Sequence, residues 1–175
     1  MQESINETFT YNIFFKSIYR YLNIPVTILF LLYTFPLFVV PKIEFSVYFF
    51  ATILLIAVAL MNRFFFRTYK TVPYLIVADD NKLLLSDFFI NRGVITVHYK
   101  DIVDFSGGFL DGRPNGLMKF KTSSGDEFGF YMRLNNSKKL ITIILSKVNK
   151  EIYLSVLNKL GVKMEDVNKK TGQKK

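Results

Sequence analysis

Two apolar runs decide how this chain is read: YLNIPVTILFLLYTFPLFVVP at residues 21–41 and FSVYFFATILLIAVALMN at residues 45–62. Neither contains Asp, Glu, Lys or Arg, and only Lys42, Ile43 and Glu44 separate them. A bilayer crossing takes about 20 mostly apolar residues at ~1.5 Å rise each. Each run is therefore predicted to span the membrane as a helix. The three-residue link makes the two helices antiparallel neighbours, so the chain after Met61 returns to the side where it began.

From Lys70 to the end the sequence is an ordinary soluble mixture, large enough to bury one modest core. The chain has no cysteine, which excludes disulfides, thiolate nucleophiles and Cys-ligated zinc. Its net charge of +9 is concentrated here, with 18 Lys/Arg against 11 Asp/Glu from Lys70 onward. A basic domain tethered beside an anionic leaflet accounts for that excess, and nucleic acid is not an expected partner. A cleaved signal peptide fits poorly. Twenty residues, including Glu3 and Glu7, precede the first run, and no small-x-small site follows it.

Positive segments resist translocation. Lys16 and Arg20 precede the first run and Arg63, Arg67 and Lys70 follow the second, whereas the turn carries Lys42 offset by Glu44. Both termini are expected in the cytoplasm, making this a multi-pass protein of the cell membrane. Pro25 lies near the first helix start, where its missing N–H costs little, while Pro36 should kink or shorten that helix. Tyr19, Tyr21, Tyr33, Phe64 to Phe66 and Tyr69 are expected as interfacial aromatic anchors. In the cytoplasmic segment 1–20, Tyr11, Phe14, Phe15 and Ile18 continue to Leu22 at helical spacing. They imply either a helix lying on the membrane or an extension of the first span. No ionisable residue and no GxxxG pair occurs in the spans, so an anchor at 21–66 is expected rather than a transporter.

After Lys70 the period changes to that of strands. Strands are predicted at 72–78, 82–90, 94–99, 101–106, 117–122 and 127–132, with Asp79-Asp80-Asn81 and Asn91-Arg92-Gly93 as turns. Residues 107–116 form a glycine-rich loop. From Ser137 an apolar stripe of Ile141, Ile144, Leu145, Val148, Ile152, Val156 and Leu160 predicts a helix, as one piece or two. Asn135, Asn136 or Ser137 can cap it, and Gly161 is its expected stop. Residues 161–175 read as a basic disordered tail. The fold class is α+β: a two-helix transmembrane hairpin, then a bent antiparallel sheet or partly open β-barrel over 70–160, capped by the C-terminal helix.

This order, with the stretch NRGVITVHYKDI at residues 91–102, resembles bacterial pleckstrin-homology-like domains carried behind a two-helix membrane hairpin. The recurring turn of that family is matched by Val97, Tyr99, Asp101 and Ile102, although its frequent Trp is absent here. The resemblance covers about residues 71–150 and implies a small membrane protein presenting a binding module. Eukaryotic relatives of that fold bind inositol phosphates through basic residues at the first hairpin loop. Read as Asp79-Asp80-Asn81, that loop is acidic in this chain.

His98 is the only histidine, and its strand position offers neither a nucleophile nor an orienting partner. Asp79-Asp80 and Asp101/Asp104 diverge along extended backbone, so no metal site and no cofactor is expected. The glycine-rich loop lacks a P-loop ending and leads into a strand rather than a helix. Arg92, Lys100, Arg113, Lys119 and Lys121 are the candidate contacts for lipid headgroups or a partner, with a solvated strand face as the plainer account. The expected function is therefore not enzymatic: a binding module at the cytoplasmic face, engaging lipid or protein, with self-association through the membrane helices as a further contact. The alternatives are a membrane-surface enzyme, which would need a pocket joining His98 to two carboxylates, and an oligomeric transport or channel subunit.

Overall fold

The computed structural model describes residues 6–35, 39, 45–90 and 92–172, with side chains as far as Gly161. The chain divides into two compact units, Ile13–Lys70 and the combination of Met1–Asn12 with Thr71–Lys175. The second unit is assembled from both sides of the first.

The helical unit contains α1 (Ile13–Tyr21), α2 (Asn23–Thr34) and α3 (Phe45–Thr71). Leu22 N–H donates to the Ile18 carbonyl at 3.1 Å and Val26 N–H to the Leu22 carbonyl at 3.4 Å. Helical bonding thus carries through the α1–α2 junction. Pro25 has no N–H to offer the Tyr21 carbonyl, which accounts for the break at Leu22. At 27 residues, or ~40 Å, α3 is the one described helix long and apolar enough to cross a membrane. The expected pair of spanning helices is therefore not seen as such, because α2 has 12 residues. It ends at Thr34, and Pro36, Pro41 and the Lys42–Ile43–Glu44 link lie outside the described residues.

Among the described residues the other unit holds seven strands in two antiparallel sheets. One has the order β1 (Glu7–Thr10), β2 (Leu75–Ala78), β3 (Lys82–Ser86), β4 (Ile95–His98); the other is β5 (Ile102–Gly107), β6 (Leu117–Thr122), β7 (Glu127–Tyr131). Six strands were expected, and β1 is the addition. Its register against β2 runs from Glu7↔Ala78 to Thr10↔Leu75. Tyr11 therefore belongs to the sheet unit and not to a helical stripe. It is buried, forms a bridge with Leu134, accepts the Tyr131 N–H at 2.8 Å and meets the Tyr74 ring edge-on at 5.8 Å. Asn135 N–H also donates to the Thr10 carbonyl, and Lys139 pairs with Glu7 at 2.7 Å. The edge of the first sheet is thereby tied to the chain leaving the second.

Alternation along the strands builds the core from Phe9, Ile76, Leu83, Leu85, Val97, Phe105, Met118, Phe120, Phe128 and Phe130. Helix α4 (Ser137–Lys147) adds Leu140, Ile141 and Ile144. Strand β3 stops at Ser86, short of the expected Ile90, because Asp87 takes a left-handed φ of 57° and its carbonyl accepts the Tyr74 N–H. The α4 N-cap is Asn136, itself left-handed and without a side-chain cap bond; Ser137 Oγ donates instead to the Met132 carbonyl. The C-terminal helix is two pieces, since Val148 is extended and α5 (Lys150–Gly172) begins anew. Gly161 does not stop it. Its φ is ordinary and no neighbour crowds it, and the helix continues to Gly172.

Candidate functional site

The glycine-rich loop is more built than its composition suggests. Residues Gly108–Asp111 form a 3-10 turn that buries Leu110. Gly107 and Gly108 both have positive φ, and a Cβ on either would collide with the Leu117 carbonyl or the Met118 side chain. The first part of the loop, Gly107 to Leu110, packs beside β6, while residues 111–115 are exposed.

A cleft of about 430 Å³ opens where the β2–β3 turn, the end of β4 and the end of α4 converge. It is lined by Asp80, Asn81, His98, Tyr99, Lys100 and Lys147. The turn is closed by Asp79 N–H donating to the Lys82 carbonyl at 2.9 Å. Tyr99 sits buried behind it, its hydroxyl donating to the Asp79 carbonyl at 3.0 Å. Burial, with smaller contributions from the Asp79 and Asp80 carboxylates, holds that hydroxyl well above the ordinary tyrosine range. Lys147 Nζ donates to the Asp79 carbonyl at 3.2 Å and to Asp80 Oδ1 at 3.4 Å, and lies 5.3 Å from the Tyr99 ring centre. Placed at the last turn of α4, it also meets the negative end of that helix. Lys147 is thus a staple between α4 and the turn.

His98 and Lys100 are exposed at the rim. The cleft puts His98 in company with one lining carboxylate, Asp80, and that one is already bonded to Lys147. Among the described residues the lining has no serine, threonine or second carboxylate. Among the described residues no group of three His, Cys, Asp or Glu is placed to hold a metal ion. What the cleft offers is the exposed side chains of His98 and Lys100 beside Asp80 and Asn81.

Of the candidate contacts, Lys100 alone lines this cleft. Arg92 is exposed in the β3–β4 connection and Arg113 in the turn after the 3-10 helix. Lys119 and Lys121 lie on the outward face of β6, beside Ser106, Asp104 and Glu127 in register. Lys119 pairs with Glu127 at 2.7 Å, so this face is of mixed charge. Lys147 lies off the apolar stripe of its helix, so the sequence carries no signal for this role.

A polar network in the helical unit was missed as well. Asn23 Nδ2 donates to Asn62 Oδ1 at 3.2 Å, and Asn62 Nδ2 donates to Thr27 Oγ1 at 2.9 Å and to the Val58 carbonyl. The Tyr69 hydroxyl is shared between the Arg20 carbonyl and Asn23 Oδ1. Tyr69 is accordingly buried, not an interfacial anchor. These bonds join α2 to α3 with residue numbers running in opposite directions, which fixes the two helices as antiparallel. An amide bonded between apolar helices adds about 1 kcal/mol to their association, and Asn23 and Asn62 are legible as the polar exceptions in apolar runs.

Comparison with protein-family models, with curated proteins and with solved structures finds no match to this chain.

Proposed function

We propose that the chain is an integral membrane protein whose helical unit is a two-crossing hairpin, presenting a pleckstrin-homology-like binding module at the cytoplasmic face. The observation that carries this reading is the pairing of β1 with β2. Thr10 and Leu75 are direct partners in the register, at about the 5 Å spacing of neighbouring strands, yet the whole helical unit lies between them in sequence. The hydrocarbon core is about 30 Å thick. One crossing, or three, would put the two strands on opposite sides of the bilayer. If α3 crosses, the preceding residues must cross too. The antiparallel bonding of α2 to α3 through Asn62 supports the same hairpin.

The four-plus-three division of the strands and the helix α4 packed on them support the likeness to the pleckstrin-homology fold. The first strand connection is the helical segment itself, and Asp79-Asp80-Asn81 is the second. Asp79-Asp80-Asn81 is then not the counterpart of the phosphoinositide loop of eukaryotic pleckstrin-homology domains. The surface for a protein or lipid headgroup is instead the cleft carrying His98 and Lys100.

Photo-crosslinking in cells tests this, with a benzophenone amino acid at Lys100 and, as control, at Ser124. An adduct to a protein or lipid at position 100 and none at 124 is the expected result. Equal labelling at both, or none at 100, would contradict the assignment. Release of the full chain from membranes by alkaline carbonate would contradict the anchor itself.

A further inference from the structure

Helix α5 is apolar on two sides. Val156 is buried and Ile152 and Leu160 are half-buried, whereas Tyr153, Leu154 and Leu157 are exposed at 41%, 47% and 43%. Tyr153 and Leu157 line an open groove of about 590 Å³ together with Leu145 and Val148 from the α4 end. Lys150 also lines this groove. The groove exists because Val148 is extended and splits the helix, which turns α5 away from α4 and leaves apolar surface in the angle.

Charge identifies the occupant. Residues 137–175 contain ten lysines against Glu151, Glu165 and Asp166. Two copies meeting through this surface would bring like charges together, and an acidic membrane would neutralise them. Aromatic and leucine side chains bordered by lysine stems and heads are the composition of a helix lying in a headgroup layer. The tether is short, since β2 begins at Leu75 and α3 ends at Thr71.

We propose that the α4–α5 groove is a second membrane contact, with Tyr153, Leu154 and Leu157 entering the headgroup layer of an anionic bilayer and Lys150 on a lipid phosphate. This rests on the membrane-anchor reading above. It gives the module a docked state that depends on lipid charge, separate from the cleft at His98.

The chain has no cysteine, so single reporters are simple to place. Full-length protein carrying an environment-sensitive fluorophore at Leu157→Cys, Phe50→Cys or Ser124→Cys is reconstituted into vesicles. These contain phosphatidylcholine alone or with about one-third phosphatidylglycerol, each with a doxyl-lipid quencher. The reporter at 50, in α3, is expected to be quenched in both compositions and that at 124 in neither. At 157, quenching is expected to rise about twofold or more with phosphatidylglycerol, and Lys150→Glu should return it to the phosphatidylcholine level. Loss of quenching at 50 would overturn the anchor reading. Quenching at 50 with none at 157, or equal quenching at 157 in both compositions, would overturn the docking proposal alone. So would energy transfer between labels at 157 that rises with protein density without lipid quenching, the mark of a second copy in the groove.

Discussion

The Tyr99 hydroxyl holds the Asp79 carbonyl while its ring lies beside the Lys147 ammonium, so one side chain serves both the β2–β3 turn and the end of α4. Tyr99→Phe keeps the ring and removes the bond, and should cost about 1 kcal/mol in denaturant unfolding. Its ionisation carries a sign. The folded state keeps the phenolic proton above the pH near 10 where the unfolded chain releases it. This contribution is therefore intact below pH ~10 and is lost as the pH rises beyond it. The difference in phenolate absorbance between wild type and Tyr99→Phe should titrate above the ordinary tyrosine range; a midpoint within that range would contradict the burial. Gly107 makes a steric demand. With φ at 87° and the Leu117 carbonyl against any Cβ, Gly107→Ala should lose about 2 kcal/mol or more, whereas Gly93→Ala, with open space around it, should lose less. Equal losses would mean that backbone conformation alone matters at these glycines.

Between α2 and α3 the Asn62 amide makes three hydrogen bonds, two of them across the pair. Asn62→Leu should lower the thermal midpoint in detergent, at a cost of about 1 kcal/mol. Thr52→Val, which removes only an exposed bond to the Tyr48 carbonyl within its own helix, should change little. An unchanged midpoint for Asn62→Leu would show that packing, not the amide, pairs these helices. The elements differ in how far the sequence discloses them. The β6–β7 hairpin lies within one residue of its reading, because alternation and a Ser-Ser-Gly-Asp turn agree. Strand β1 was hidden, although Glu7-Thr8-Phe9-Thr10-Tyr11 alternates and its aromatics are inward. Five residues of alternation overlapped a helical spacing that begins at Tyr11, and only the partner strand beyond the helical unit decides between the two. The cleft was half visible for a similar reason. Lys100 stands near His98 in sequence, but Lys147 and Asp80 reach it only through the fold.

For the molecule as a whole, the two units are interleaved: the sheet unit cannot be completed until residues on both sides of the helical unit have been made and brought together. Removing residues 2–12 would delete β1, the Tyr11 bridge to Leu134 and the Glu7–Lys139 pair together. It would also expose the β2 edge and part of the core that Phe9 covers. The shortened protein should be strongly protease-sensitive between β2 and α4 while its helical unit still partitions into membranes; full resistance would count against the interleaving. Cross-strand cysteines in this cysteine-free chain read the pairing itself. Thr8→Cys with Val77→Cys, partners in β1 and β2, is oxidised in native membranes beside a control pair in β3 and β4, Lys82→Cys with His98→Cys. Both pairs should form intramolecular disulfides, and Thr8→Cys combined with a distant Ser124→Cys should not. A control pair that closes while position 8 fails to join position 77 would contradict the pairing on which the same-side arrangement rests.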